Sequence, residues 1–129
     1  MIAQVVILSV TGAVGCALRV LARDWLMLRG LRPWWGILAI NLIGALAMGV
    51  LAGAVAAGSG RMDAPGVVAL LGLLAGWTTY SAFAMDVVQL WLRGERANCL
   101  AIWVATMFGA PLCALVAAAL GAWLNGGGT

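Results

Sequence analysis

The side chains able to do chemistry stand in apolar sequence, where a polar group has few neighbours to satisfy it. Asn41 is set in Gly36-Ile-Leu-Ala-Ile-Asn-Leu-Ile-Gly-Ala-Leu-Ala-Met-Gly49, and Thr78, Thr79, Tyr80 and Ser81 follow one another in Gly76-Trp-Thr-Thr-Tyr-Ser-Ala-Phe83. An amide in such a place is either interhelical glue or a donor lining a polar path. Asp86 comes seven residues after Thr79, so on a helix both face much the same way. An acid so near the membrane has either a functional role or the role of a carboxylate near a helix end, paired with a cation such as Arg19 or reaching water. Histidine is absent and no general base lies near the hydroxyls, so no nucleophile, base and orienting group can be assembled and enzyme activity is not expected.

The elements that must hold these groups are set by composition. Of 129 residues 65% are hydrophobic and 9% charged, with a mean hydropathy of +1.10, well outside the range of a soluble domain. Four apolar runs, at about 2–22, 34–57, 65–92 and 97–124, are each long enough for the roughly 20 residues that cross a bilayer core. Open strands would leave backbone groups unpaired in lipid, and the runs are too continuous for barrel strands. The chain is therefore expected to be an all-α membrane protein of one four-helix domain, with 125–129 a flexible glycine-rich tail. The first run lacks the basic start of a signal peptide and contains Arg19, so it reads as a retained helix.

The net charge of +3 comes from seven arginines and four acids, too few and too scattered for a nucleic-acid surface. The segment Arg23–Trp35 mixes arginine, tryptophan and leucine, as expected of a connection at headgroup level. Cys16, Cys99 and Cys113 show no metal-binding spacing and read as small packing residues. On the second helix Asn41, Ala45, Gly49, Gly53 and Ala57 recur every four residues, a flat stripe that lets another helix come close and that favours association with another subunit.

The third run, from Pro65 to Leu92, is longer than a straight crossing needs, and its middle carries Gly72, Gly76, Thr78 and Thr79. Either the helix breaks there, exposing carbonyl oxygens to a cation and amide ends to an anion, or it stays straight and packs through its glycines. Non-helical backbone at that depth requires surrounding protein or a cavity.

Three motifs together resemble the CrcB/Fluc family of fluoride channels over nearly the whole length: Thr11-Gly-Ala-Val-Gly-Cys-Ala-Leu-Arg19, Gly36–Gly49 around Asn41, and Gly76–Phe83. The resemblance implies a multi-pass protein of a bacterial inner or plasma membrane. It further implies a dimer of antiparallel subunits with two narrow fluoride paths and one structural sodium ion where two broken third helices cross. It assigns the sodium ligands to the backbone carbonyls of Ala75 and Thr78, and the ion path to Asn41, Thr79, Tyr80, Ser81 and Phe83. Asn41 and Ser81 would donate hydrogen bonds, Tyr80 and Phe83 would offer positive ring edges, and Thr79 would help satisfy the break.

Departures from the family pattern are Tyr80 for a phenylalanine and Ala82 for a threonine. On the last helix, Ala101, Ala105, Gly109 and Cys113 fall where the family carries a tyrosine and hydroxyls, with Thr106 one step off. The resemblance thus implies a passive fluoride channel subunit. Its alternative is a non-conducting or half-conducting subunit that completes a dimer with a related chain of opposite topology. A small multidrug exporter fits less well, because such a carrier needs a deep acid that the first two helices lack.

Overall fold

The computed structural model describes residues 2–58 and 60–126. Four helical stretches in it are long and apolar enough to cross a membrane, and the chain is a multi-pass membrane protein. The first crossing is α1 (Ile2–Leu28) and the second α2 (Pro33–Ala56). The third is divided into α3 (Pro65–Trp77) and α4 (Tyr80–Leu92). The fourth runs through α5 (Arg96–Val104), a π-turn (Ala105–Gly109) and α6 (Ala110–Gly126). Of the expected tail, Asn125 and Gly126 belong to α6, and 127–129 lie outside the described residues.

The first helix is longer than the apolar run that announces it. It continues through Arg23 to Leu28, so most of the expected headgroup segment is helical and the connection shrinks to Arg29–Arg32. The stop comes from Gly30, whose φ of 84° lets the chain turn back. Its N–H donates to Met27 O at 2.9 Å and Leu31 N–H to Leu26 O at 3.1 Å, which satisfies carbonyls that a helix end leaves bare. Pro33 and Pro65 occupy the first helical positions of α2 and α3, where a missing N–H costs nothing.

The largest packing interfaces join α1 to α3 and α2 to α6. Small residues make both possible. A Cβ on Gly49 would overlap the Ala114 carbonyl, and one on Gly53 the Ala118 carbonyl. The small-residue stripe of α2 is thus spent at Gly49 and Gly53 on the last helix of the same chain, a correction to the expectation that it receives another subunit. Gly72 and Gly76 likewise seat α3 against Thr11 and Gly12 of α1. They do not loosen α3, which stays helical through Trp77.

A further cluster packs the arginine-rich end: Trp34, Ile37 and Leu38 of α2 against Phe83 and Leu90 of α4 and Cys99 and Ile102 of α5. The outward faces of α1 and α6 are apolar and exposed, Val10, Leu115 and Val116 among them, as a surface in contact with lipid requires.

Candidate ion site at the helix break

The third crossing is interrupted at two residues only. Thr78 and Thr79 are extended, with φ/ψ of −80°/153° and −153°/124°. Threonine suits both positions, because its branched Cβ favours extended backbone and its hydroxyl can replace a lost backbone partner. Thr79 caps α4, its Oγ1 accepting from Ala82 N–H at 3.4 Å and lying 3.2 Å from Ser81 Oγ. Thr78 Oγ1 turns back to donate to Leu74 O at 3.2 Å.

An extended pair inside a bilayer must find hydrogen bonds elsewhere, since each bare backbone group costs several kcal/mol in hydrocarbon. Two neighbouring helices supply them. Asn41 on α2 accepts the Thr79 N–H at 2.9 Å through Oδ1 and donates Nδ2 to Thr79 O at 3.1 Å. Arg19 Nε on α1 donates to Gly76 O at 3.3 Å, while Trp77 Nε1 donates outward to Ile40 O at 2.9 Å and so ties the break to α2 without satisfying its backbone. Asn41 therefore serves as the brace of the break, with one amide hydrogen left to offer.

The bracing leaves particular oxygens bare. Because Thr79 N–H is taken by Asn41, Ala75 O loses the donor a continuous helix would give it and keeps only a long 3.5 Å contact from Thr78 Oγ1. Thr78 O accepts no hydrogen bond among the described residues, since Ala82 N–H is directed to Thr79 Oγ1. Ala75 is exposed and Thr78 half-buried. Two uncommitted carbonyls at the negative end of α3 are hard-oxygen donors of the kind a sodium ion takes, so the residues present fit that group.

Beside the break lies an open groove of about 410 Å³ lined by Asn41, Thr79, Tyr80, Phe83 and Thr106, with Ala110 and Pro111 along the α6 side. Phe83 is buried at 2% exposure, whereas Tyr80 is 70% exposed and forms the rim, its ring centroid 5.5 Å from that of Phe83. Ser81 is exposed, bonded to the Thr79 hydroxyl, and does not line this groove. Of the residues tied to the path by resemblance, Asn41, Thr79, Tyr80 and Phe83 come together and Ser81 stands apart.

Thr106 joins them from the last crossing. It is 8% exposed and its Oγ1 is buried without a hydrogen-bond partner. Strict four-residue spacing puts Thr106 one step off the path, but the π-turn at 105–109 makes that spacing fail. Pro111 is the physical cause: it lacks an N–H and its ring crowds the carbonyl one turn earlier, so the chain widens just before it. A proline inside an apolar run was the available sign that the spacing of this helix could not be trusted.

Asp86 is 4% exposed and lies 3.9 Å from Arg23 Nη2. Arg19, the cation named as an example of a partner, is instead directed to Gly76 O and to Cys16 Sγ, the latter at 2.9 Å. The extension of α1 past residue 22 is what carries Arg23, one turn further on, to α4. Arg23 Nε and Asp86 Oδ2 are both buried without partners, so the pair is imperfectly joined. All three cysteines are free.

The class of protein is defined by these features: a small multi-pass membrane protein built on an interrupted crossing, with its polar groups gathered at the break and along an adjoining groove. The chain belongs to the CrcB family, whose profile, described as CrcB-like protein, Camphor Resistance (CrcB), matches residues 6–123. A Rhizobium johnstonii protein named fluoride-specific ion channel FluC is 36% identical over 118 residues, covering 88% of this chain and 91% of the relative. A Mesorhizobium japonicum protein of the same name is 34% identical over 122 residues, covering 94% of each. One from Paracoccus denitrificans is 49% identical over 65 residues, covering 50% of this chain and 51% of its own.

Proposed function

We propose that the chain is a subunit of a passive fluoride channel, not an enzyme, and that the groove beside the break is one wall of its ion path. Membership of the CrcB family, with relatives named fluoride-specific ion channels, supports the reading. The observation that carries it to particular residues is the meeting of the Asn41 amide, the unpartnered Thr106 hydroxyl and the Phe83 ring on one groove.

Fluoride is small and strongly hydrated, so a path that conducts it must replace water with donors yet not hold the ion long. The remaining Asn41 Nδ2 hydrogen and the Thr106 hydroxyl are such donors. The rings of Phe83 and Tyr80 present positive edges that attract an anion weakly. Thr79, with its own hydroxyl engaged at the α4 cap, holds the wall in shape. Ser81, bonded to the Thr79 hydroxyl and absent from this groove's lining, serves a different stretch of the path.

The groove is open along one side and Ala75 is exposed, which supports closure by a second, antiparallel subunit. Ala75 and Thr78 would present their carbonyl oxygens to a sodium ion at that junction, whose charge would offset the carbonyl end of α3. Arg19 occupies the neighbouring Gly76 carbonyl, which leaves Ala75 and Thr78 as the uncommitted pair.

A second reading, that the partner is a related chain of opposite topology and not a second copy, is favoured by charge placement. Arg19, Arg23, Arg29, Arg32, Arg93 and Arg96 gather toward one end of the bundle and Arg61 alone toward the other. Fluoride efflux from liposomes tests both readings. Efflux from the chain alone supports a homodimer, and efflux only with the related chain supports the heterodimer. None in either case defeats the channel assignment.

A further inference from the structure

We propose that the groove between the start of α2 and the end of α4 binds the phosphate headgroup of an anionic membrane phospholipid, with Arg93 and Arg32 as its cationic ligands. This groove, of about 300 Å³, is lined by Arg32, Pro33, Trp34, Arg93 and Glu95, and is separate from the one beside the break.

Arg93 is the distinguishing residue. Every other arginine is engaged: Arg19 with the Gly76 carbonyl, Arg23 with Asp86, Arg32 with Glu95 and Arg61 with Asp63. Arg29 lies 4.6 Å above the Trp25 ring and Arg96 lies 4.8 Å above that of Trp91. Arg93 has no carboxylate, carbonyl or ring partner among the described residues, and it lines a concave site. A free guanidinium in a groove at a bilayer interface is a phosphate ligand by its fixed, planar set of donors.

Arg32 completes the site. Its Nη1 donates to Glu95 Oε2 at 3.1 Å, and the same oxygen accepts from Asn98 Nδ2 at 2.8 Å. The carboxylate thus fixes Arg32 in place, while the guanidinium's other N–H groups stay available on a side chain 63% exposed. Arg32 is also the N-cap of α2, which has no side-chain cap, so the positive end of a 24-residue helix adds to the same field. Two guanidiniums against one carboxylate leave the groove net positive.

The surroundings specify a lipid and not a free anion. Leu92, 78% exposed, ends α4 directly before Arg93, and Trp35, 50% exposed, stacks on the groove-lining Trp34. These are contacts for acyl chains and glycerol next to a charged headgroup.

The test is native mass spectrometry of the full chain given phosphatidylglycerol and phosphatidylcholine in equal amounts. Phosphatidylglycerol adducts are expected to predominate, and to fall about fivefold for each of Arg93→Gln and Arg32→Gln. Arg61→Gln, at the other end, should keep them. Arg93→Lys keeps the charge but not the planar donor set, so its adducts should fall between those of the wild type and of Arg93→Gln, which separates loss of the ligand from loss of the fold. Equal adducts of both lipids, or no change in the double variant, overturns the proposal. Displacement of phosphatidylglycerol by millimolar inorganic phosphate would assign the site to a free anion and also overturn it. No arm depends on fluoride conduction, so the channel reading stands or falls separately.

Discussion

Asn41 and Thr79 close a two-bond ring across the interrupted crossing, the amide replacing both backbone partners that Thr79 loses by leaving the helix. One side chain thereby fixes the break, frees the Ala75 carbonyl and forms part of the groove wall. Asn41→Asp keeps the acceptor for Thr79 N–H but sets an oxygen against Thr79 O. Fluoride flux through the competent assembly should fall sharply, and stability in detergent should drop by about 1–3 kcal/mol, read by thermal unfolding. Wild-type flux would remove Asn41 from the path.

Phe83 and Thr106 approach the groove from different crossings, Phe83 also packing in the cluster with Trp34 and Ile37, and both are expected to act on conduction. Phe83→Ile should cut flux while the dimer persists on size exclusion. Thr106→Val, nearly isosteric, should lower flux about tenfold if the lost donor is worth about 1.4 kcal/mol in the conducting state, and Thr106→Ser should restore it. Equal flux from the valine and serine variants would show that the hydroxyl has no role.

The close approach of Gly49 to Ala114 makes a claim about which chain supplies the neighbouring helix. In a background where Cys16, Cys99 and Cys113 are alanine, Ala45→Cys with Ala110→Cys, which line the same groove from α2 and α6, should be joined within one chain by a short bifunctional thiol crosslinker. A covalent dimer as the main product would return the stripe to an intermolecular role. Gly53→Val should destabilise the bundle by about 1–3 kcal/mol through overpacking against Ala118.

Insertion should be one-way. Basic residues in short connections favour the cytoplasm, and six of the seven arginines lie toward the end where α1 meets α2 and α4 meets α5. Leaving out Arg19, bound within the bundle, the bias is still five to one. Both termini should therefore face outward, and a C-terminal reporter active only in the cytoplasm should stay dark while one active only outside gives signal. Comparable signals from both would mean dual insertion and would remove the reason for an obligate related partner.

Hydropathy and the punctuation of proline and glycine determined the four crossings, because the cost of bare backbone in lipid leaves a helix as the only element such runs can form. The excess length of the Pro65–Leu92 run and its two adjacent threonines located the interruption, and the polar residues in apolar sequence named most of the groove. The tertiary structure decided what those signals leave open. Gly72 and Gly76 turned out to pack α3 on α1, since a glycine reads alike whether it loosens a helix or lets another approach. Asp86 took Arg23 and not Arg19 because the Gly30 turn, set by the chain's ability to reverse there, extends α1 by further residues past the apolar run. Thr106 reached the groove because Pro111 forces a π-turn, which no fixed spacing anticipates. Asn41 was legible as a polar group in need of a partner, but that its partner is the backbone of Thr79, 38 residues away, is a fact of packing: a side chain's hydrogen bonds are settled by whichever helix the close contacts of the bundle bring beside it.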